Sequence, residues 1–159
     1  MTRIIGSLFL LFLGFQCGIA QDKPELFSRI EQAFQEKEPA WKVERIYPGN
    51  TSDPIKQSIV FRSRKGQASV DISIWRRAED AQDVFAGESV AFDNIARKGK
   101  VKRSLPLVGD ENYLWTNRGS SAWPVLKFRV GKIVVSIFAP TVAIARKFAR
   151  NVLEEIAAS

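Results

Sequence analysis

Apolar and polar positions along this chain repeat with two periods, and the period switches in an orderly way. Leu26, Phe27, Ile30, Ala33 and Phe34 recur three and four residues apart, the spacing of one helix face. Asp22 stands as N-cap, with Pro24 in the first turn and Glu25 three residues after the cap. Pro39 restricts the residue before it, so this helix is predicted to stop near Lys37. Trp41, Val43 and Ile46 then mark a short strand, and residues 48–54 are a turn by composition. A clear hairpin follows. Ile55, Gln57, Ile59 and Phe61 alternate with Lys56, Ser58, Val60 and Arg62. After residues 64–67, Ala68, Val70, Ile72 and Ile74 alternate with Ser69, Asp71, Ser73 and Trp75. Period-two alternation of this kind predicts a sheet with one packed face and one largely wet face.

Residues 78–96 read as a second helix. Glu79, Asp80 and Asp83 sit where they complement the positive end of its dipole, and Gly87 weakens its middle. Residues 105–111 turn into a strand at 112–115, and residues 117–121 form a loop. A second hairpin carries Leu126, Phe128 and Val130, a turn at Gly131 and Lys132, and the strand at 133–138. That last strand is apolar on both faces, which places it centrally in its sheet. Pro140 and Thr141 open a final helix with the stripe Val142, Ala145, Phe148, Ala149, Val152 and Ile156. The order predicts a single α+β domain: an antiparallel sheet of about six strands packed with helices. Superposing Gly66 on Gly131 sets Phe61 on Leu126, Val70 on Val135 and Ile72 on Ile137, which suggests a duplicated three-strand-plus-helix unit.

The first twenty residues stand apart from this pattern. Arg3 is the only charge before Asp22, and residues 4–15 are apolar except for Gly6, Ser7 and Gly14. The run is shorter than the roughly 20 residues that span a bilayer as a helix. It fits a signal-peptide core, with Gly18 and Ala20 as the small residues of a cleavage site before Gln21. Cys17 raises the alternative of a lipoprotein, but the residue before a lipidated cysteine is normally small, and here it is Gln16 preceded by Phe15. The expected mature domain is residues 21–159. The whole chain has 159 residues, 24 Lys and Arg against 17 Asp and Glu, and a net charge of +7. Losing Arg3 leaves 23 against 17, a net of +6.

Composition excludes several chemistries. There is no histidine, and the single Cys, Cys17, and the single Met, Met1, both lie in the expected signal. A mature chain without Cys or His lacks the ligands of the usual zinc, copper, haem and iron–sulfur sites, and has neither a thiol nucleophile nor a Ser–His pair. No cofactor and no metal site are expected. Any catalysis would rest on carboxylates, Lys, Tyr or Ser.

The stretch from Val108 through Gly109, Asp110, Glu111, Asn112, Tyr113, Leu114 and Trp115 carries a resemblance. It is followed by Phe128 to Gly131, the strand with Val134 to Ile137, and Ala145 to Ala149 in the closing helix. The pattern resembles small secreted bacterial proteins of unknown function, in which a Gly-Asp-Glu-Ala-Tyr stretch precedes a similar hairpin and helix. Here Asn112 stands in place of the Ala. The resemblance implies a bacterial envelope protein and transfers no catalytic residue.

Individual residues add little chemistry. Asp110 and Glu111 are neighbours, which on a strand point to opposite faces, so the ordinary reading is a turn cap plus a solvated Glu. Asp71 sits mid-strand between Ser69 and Ser73 with no second acid at a spacing that brings it near, and cross-strand pairing with Arg62 or Arg64 is its ordinary role. The sharpest anomaly is Arg97, Lys98, Lys100, Lys102 and Arg103, five cations in seven residues. They are expected on a surface loop and are the candidate anion-binding residues, for a membrane surface or a cell-wall polymer. Nucleic acid is disfavoured by the export signal. The four tryptophans, Trp41, Trp75, Trp115 and Trp123, could form a binding platform but more often fill a core. Asn50, Thr51 and Ser52 match a glycosylation sequon that matters only in a eukaryote. The sequence therefore leads to an exported, periplasmic or secreted, non-catalytic binding or interaction module. The alternatives are a carboxylate-based hydrolase, which needs a pocket with two converging acids, and an anionic-surface binder through residues 97–103.

Overall fold

The computed structural model describes residues 25–49, 52–95, 100–103, 105, 108–117 and 123–159. Three helices and seven strands run in the order α1 (Glu25–Lys37), β1 (Lys42–Pro48), β2 (Ile55–Ser63), β3 (Gly66–Ile74), α2 (Ala78–Ile95), β4 (Lys100–Arg103), β5 (Glu111–Asn117), β6 (Val125–Val130), β7 (Ile133–Phe138) and α3 (Val142–Ala157). The α+β class and the antiparallel sheet hold. All strands join one sheet in the order β1-β2-β3-β7-β6-β5-β4. β7, apolar on both faces, is the middle strand.

The count reaches seven because Lys100–Arg103 pairs with β5, with Lys102 opposite Trp115. This corrects the expected surface loop at residues 97–103. Lys100, Lys102 and Arg103 belong to the edge strand β4, while Arg97 and Lys98 lie outside the described residues. So do Asp22, Pro24 and the expected signal, Asn50 and Thr51 of the sequon, and residues 118–121 of the expected loop, whose first residue, Asn117, ends β5.

α1 and α3 pack on one face of the sheet. Their apolar stripes meet Ile59, Phe61, Val70, Ile72, Leu126, Phe128, Val135 and Ile137 in one core. An aromatic knot fixes the layers: Phe148 of α3 lies 4.6 Å from Phe34 of α1, 5.4 Å from Phe61 of β2 and 5.3 Å from Trp41, ring centre to ring centre, each near edge-to-face. Such pairs favour edge-to-face geometry because ring edges are positive and ring faces negative. Gln57, buried among these residues, donates from Nε2 to Glu31 Oε1 of α1 at 2.6 Å. Thr141 caps α3, its hydroxyl accepting from Ile144 N–H. α2 covers the opposite face, where Ala81 and Phe85 pack on Tyr113, Val134 and Trp75. That face is thus not left wet, as the strand alternation alone had implied. α2 also runs unbroken through Gly87.

Strand pairing refines the internal similarity. Ser63 pairs with Gly66 across the first turn, and Val130 with Ile133 across the second. The hairpins therefore superpose at an offset of 67 (63 to 130, 66 to 133), setting Phe61 on Phe128 and Val70 on Ile137. Matching the glycines gives 65 (66 to 131), because Gly66 follows its turn while Gly131 is inside one. Both offsets keep the same face inward. The helices after the two hairpins, α2 and α3, lie on opposite faces, so the likeness extends over the strands only.

Candidate functional site

On the α2 side, strand register brings one residue from each of six strands into a single cross-strand row: Tyr47, Ser58, Asp71, Ser136, Lys127 and Tyr113. Directly opposed residues share a face, so this row is a polar line across the sheet. Above it, between the sheet and α2, lies a cavity of about 490 Å³. Asp71, Ser136 and Lys127 form its polar wall; Trp75, Val84 and Val134 add an apolar one.

Lys127 is the unusual member. It is 5% exposed, on a strand next to the centre of the sheet. A buried charge is costly unless paired. Its ammonium forms an ion pair with Glu88 of α2. Burial pushes the Lys127 amine down to about 8; Asp71 pulls it the other way, and nearby Lys56 adds to the depression. Burial also raises the Asp71 carboxyl above the usual carboxylate range, against a hydrogen bond donated by Ser58 Oγ–H and the field of Lys127. Trp75, which also lines the cavity, has its Nε1 buried with no hydrogen-bond partner among the described residues.

Asp71 therefore does not pair with Arg62 or Arg64. Arg62 stands opposite Gln67 and bridges to Glu44 at 3.0 Å. A second acid does reach Asp71's cavity, and it comes from α2 rather than from the sheet. Sequence reading passed over Lys127 and Ser136. One signal was present: Ser136 is the sole polar residue in the apolar strand Ile133–Phe138. The register that sets Lys127 beside it is not readable from spacing alone.

Asp110 caps a turn as expected, accepting the Gly131 N–H at 2.7 Å, but Glu111 is not simply solvated, since both acids converge on one group. Arg129 Nε donates to Glu111 Oε2 at 2.8 Å, and Arg129 Nη1 lies 3.4 Å from Asp110 Oδ2. Asp110 precedes the strand and so escapes the alternation rule. Asn112 accepts from Leu105 N–H at 2.6 Å and donates to the carbonyls of Leu105 and Val108 at 2.9 and 2.8 Å. Tyr113 is buried beside Phe85. Asp110 and Glu111 hold the start of β5 to the β6–β7 hairpin, while Asn112 fastens the segment before β5 and Tyr113 packs under α2. Among the described residues, no three His, Cys, Asp or Glu side chains are grouped to hold a metal ion.

Of the tryptophans, Trp41 and Trp115 are buried, Trp75 lines the cavity and Trp123 is exposed. A second cavity of about 490 Å³ lies among Glu38, Trp41, Arg64, Lys65, Lys147 and Phe148. Its buried acid, Glu38, is satisfied by Lys147 Nζ at 2.7 Å and Asn151 Nδ2 at 3.2 Å.

No protein-family model and no curated protein sequence matches the chain. Among solved structures it is similar to a crystal structure described as a GTP binding regulator from Thermotoga maritima, with 10% identity and a TM-score of 0.47 over 81% of this chain and 87% of that one.

Proposed function

We propose that this protein is an exported protein of the bacterial cell envelope that acts as a non-catalytic binding module, holding a small polar molecule in the cavity between α2 and the sheet. The observation that carries the binding reading is the buried Lys127 in that cavity. A lysine at this depth lowers stability relative to an apolar residue, and a few convergent polar groups in a partly apolar pocket are what a small-molecule site presents. The address rests on the order of charge, apolar core and small residues in the first twenty positions.

The test of binding is an amide NMR titration of the exported protein with a set of small polar molecules: sugars, amino acids, short peptides and nucleotides. The expected result is a set of shifts clustered at Ser58, Asp71, Ser136 and Lys127. Shifts confined to other surfaces, or none across the set, would end this reading. The test of address is the intact mass, which is expected to begin at Gln21. A mass retaining residues 1–20, or a diacylglycerol on Cys17, would overturn it.

One observation favours a second reading. Asp71 and Glu88 line one cavity, which is the arrangement a carboxylate-based hydrolase requires. Lys127 ion-pairs with Glu88 and so occupies that carboxylate. Hydrolysis of a glycoside or ester that is lost in Asp71→Asn, with binding retained, would favour the hydrolase.

A further inference from the structure

The charges in the α2-side cavity balance. Lys56 and Lys127 face Asp71 and Glu88, two cations against two acids. They are also interleaved. Lys127 is paired with Glu88 from above, and on the sheet it stands one strand beyond Ser136, which is opposite Asp71.

This pattern selects against simple ions. An anion drawn to Lys127 would lie against two carboxylates, and a cation drawn to Asp71 would lie against two ammonium groups. An apolar molecule would strip water from all four charges and return nothing. A molecule carrying both signs can pair each with its opposite. Besides the charges, the cavity is lined by Trp75, Val84 and Val134, which form an apolar wall. We infer that the cavity takes a zwitterion of the amino-acid type, its carboxylate on Lys127, its ammonium on Asp71 and its apolar side chain against Trp75. This inference rests on the cavity being a binding site and names the class of ligand.

The test uses four probes on the exported protein, read by amide NMR and titration calorimetry. L-phenylalanine carries both charges. Its amide keeps only the ammonium, 3-phenylpropionate keeps only the carboxylate, and glucose carries neither. L-phenylalanine is expected to bind at least tenfold more tightly than each of the other three, with shifts at Asp71, Ser136, Lys127 and Trp75. In Lys127→Met its affinity should fall to that of the amide. In Asp71→Asn it should fall to that of 3-phenylpropionate. The wild-type series needs no variant, so a variant that fails to fold leaves the test intact. Equal binding of L-phenylalanine and either single-charge analogue overturns the inference. Glucose binding best at the same residues overturns it too, while leaving the cavity a binding site. If none of the four moves these residues, the zwitterion is rejected, and the binding reading is then judged on the wider set of molecules.

Discussion

The carboxylate of Asp110 accepts the backbone N–H of Gly131 at 2.7 Å, joining the start of β5 to the β6–β7 turn. The contact is reciprocal, because Asp110 N–H donates to Arg129 C=O at 2.8 Å. Arg129 in turn donates to Gly131 C=O at 2.8 Å, so the turn is held from both sides. Charge-assisted bonds to backbone are among the stronger kind, though half of Asp110 is exposed. Asp110→Ala is expected to lower stability by about 1–2 kcal/mol, with Asp110→Asn recovering part of it. Urea unfolding of the three proteins checks this; a loss under about 0.3 kcal/mol for Ala would show that the turn holds itself.

Gly109 has a φ of +65°, and a Cβ built there would lie 2.5 Å from the Arg129 carbonyl oxygen. The left-handed backbone costs an L-residue about 1–2 kcal/mol, and the overlap falls on backbone that cannot swing aside. Gly109→Ala is expected to cost more than about 2 kcal/mol and to perturb the β5–β6 pairing. The measurement is the melting midpoint together with amide shifts at Arg129. A neutral substitution would mean that the loop has room to rearrange.

Asn112 closes three hydrogen bonds to the backbone of Leu105 and Val108 with one side chain. Asn112→Ala is expected to cost about 1–3 kcal/mol, since buried backbone groups lose their partners. Hydrogen exchange at Leu105 should quicken in the same variant. Unchanged exchange would assign the loop's order to something else.

Gly87 interrupts the exposed side of α2, and a Cβ there would meet nothing within 4 Å. Gly in a helix interior costs roughly 0.5–1 kcal/mol against Ala. Gly87→Ala is therefore expected to raise stability by about that amount. No gain, or a loss, would argue that α2 does not keep its helical form at this point in solution.

The Lys127 amine gives a pH signature with a definite sign. Its pKa is about 8 in the fold against 10.5 for an ordinary lysine. Between those values the unfolded chain holds the proton and the folded chain has released it. The unfolded state binds more protons there, so stability rises with pH across that window, by about 3 kcal/mol in full. Lys127→Met has no such proton. The stability difference, wild type minus variant, should therefore grow in favour of wild type from pH 8 to 10.5. A flat difference across that range would show that Glu88 and Asp71 hold the proton on Lys127 as firmly as water does.

Local pattern sufficed for each element that packs one face on one neighbour. The stripe from Leu26 to Phe34 and the stripe from Val142 to Ile156 turned out as helices on the core, because a 3.6-residue period has only one way to bury its apolar side. The alternation from Ile55 to Ile74 likewise fixed which side of β2 and β3 is packed. The central place of β7 was readable because a strand apolar on both sides needs cover on both.

Tertiary structure decided what spacing does not encode. Lys100–Arg103 reads as a charged loop, yet it becomes β4 because the open edge of β5 supplies backbone partners whatever the side chains are. Asp71 and Lys127 lie 56 positions apart, and their charges meet only because β3 and β6 both flank β7. Glu88 joins them because α2 crosses the face that β2 and β3 alone would leave wet. Each depends on non-local pairing, where contact is set by strand order and layer rather than by neighbours in the chain. The cavity and its buried amine belong to that second category, while the helices, the hairpins and the packed face belong to the first.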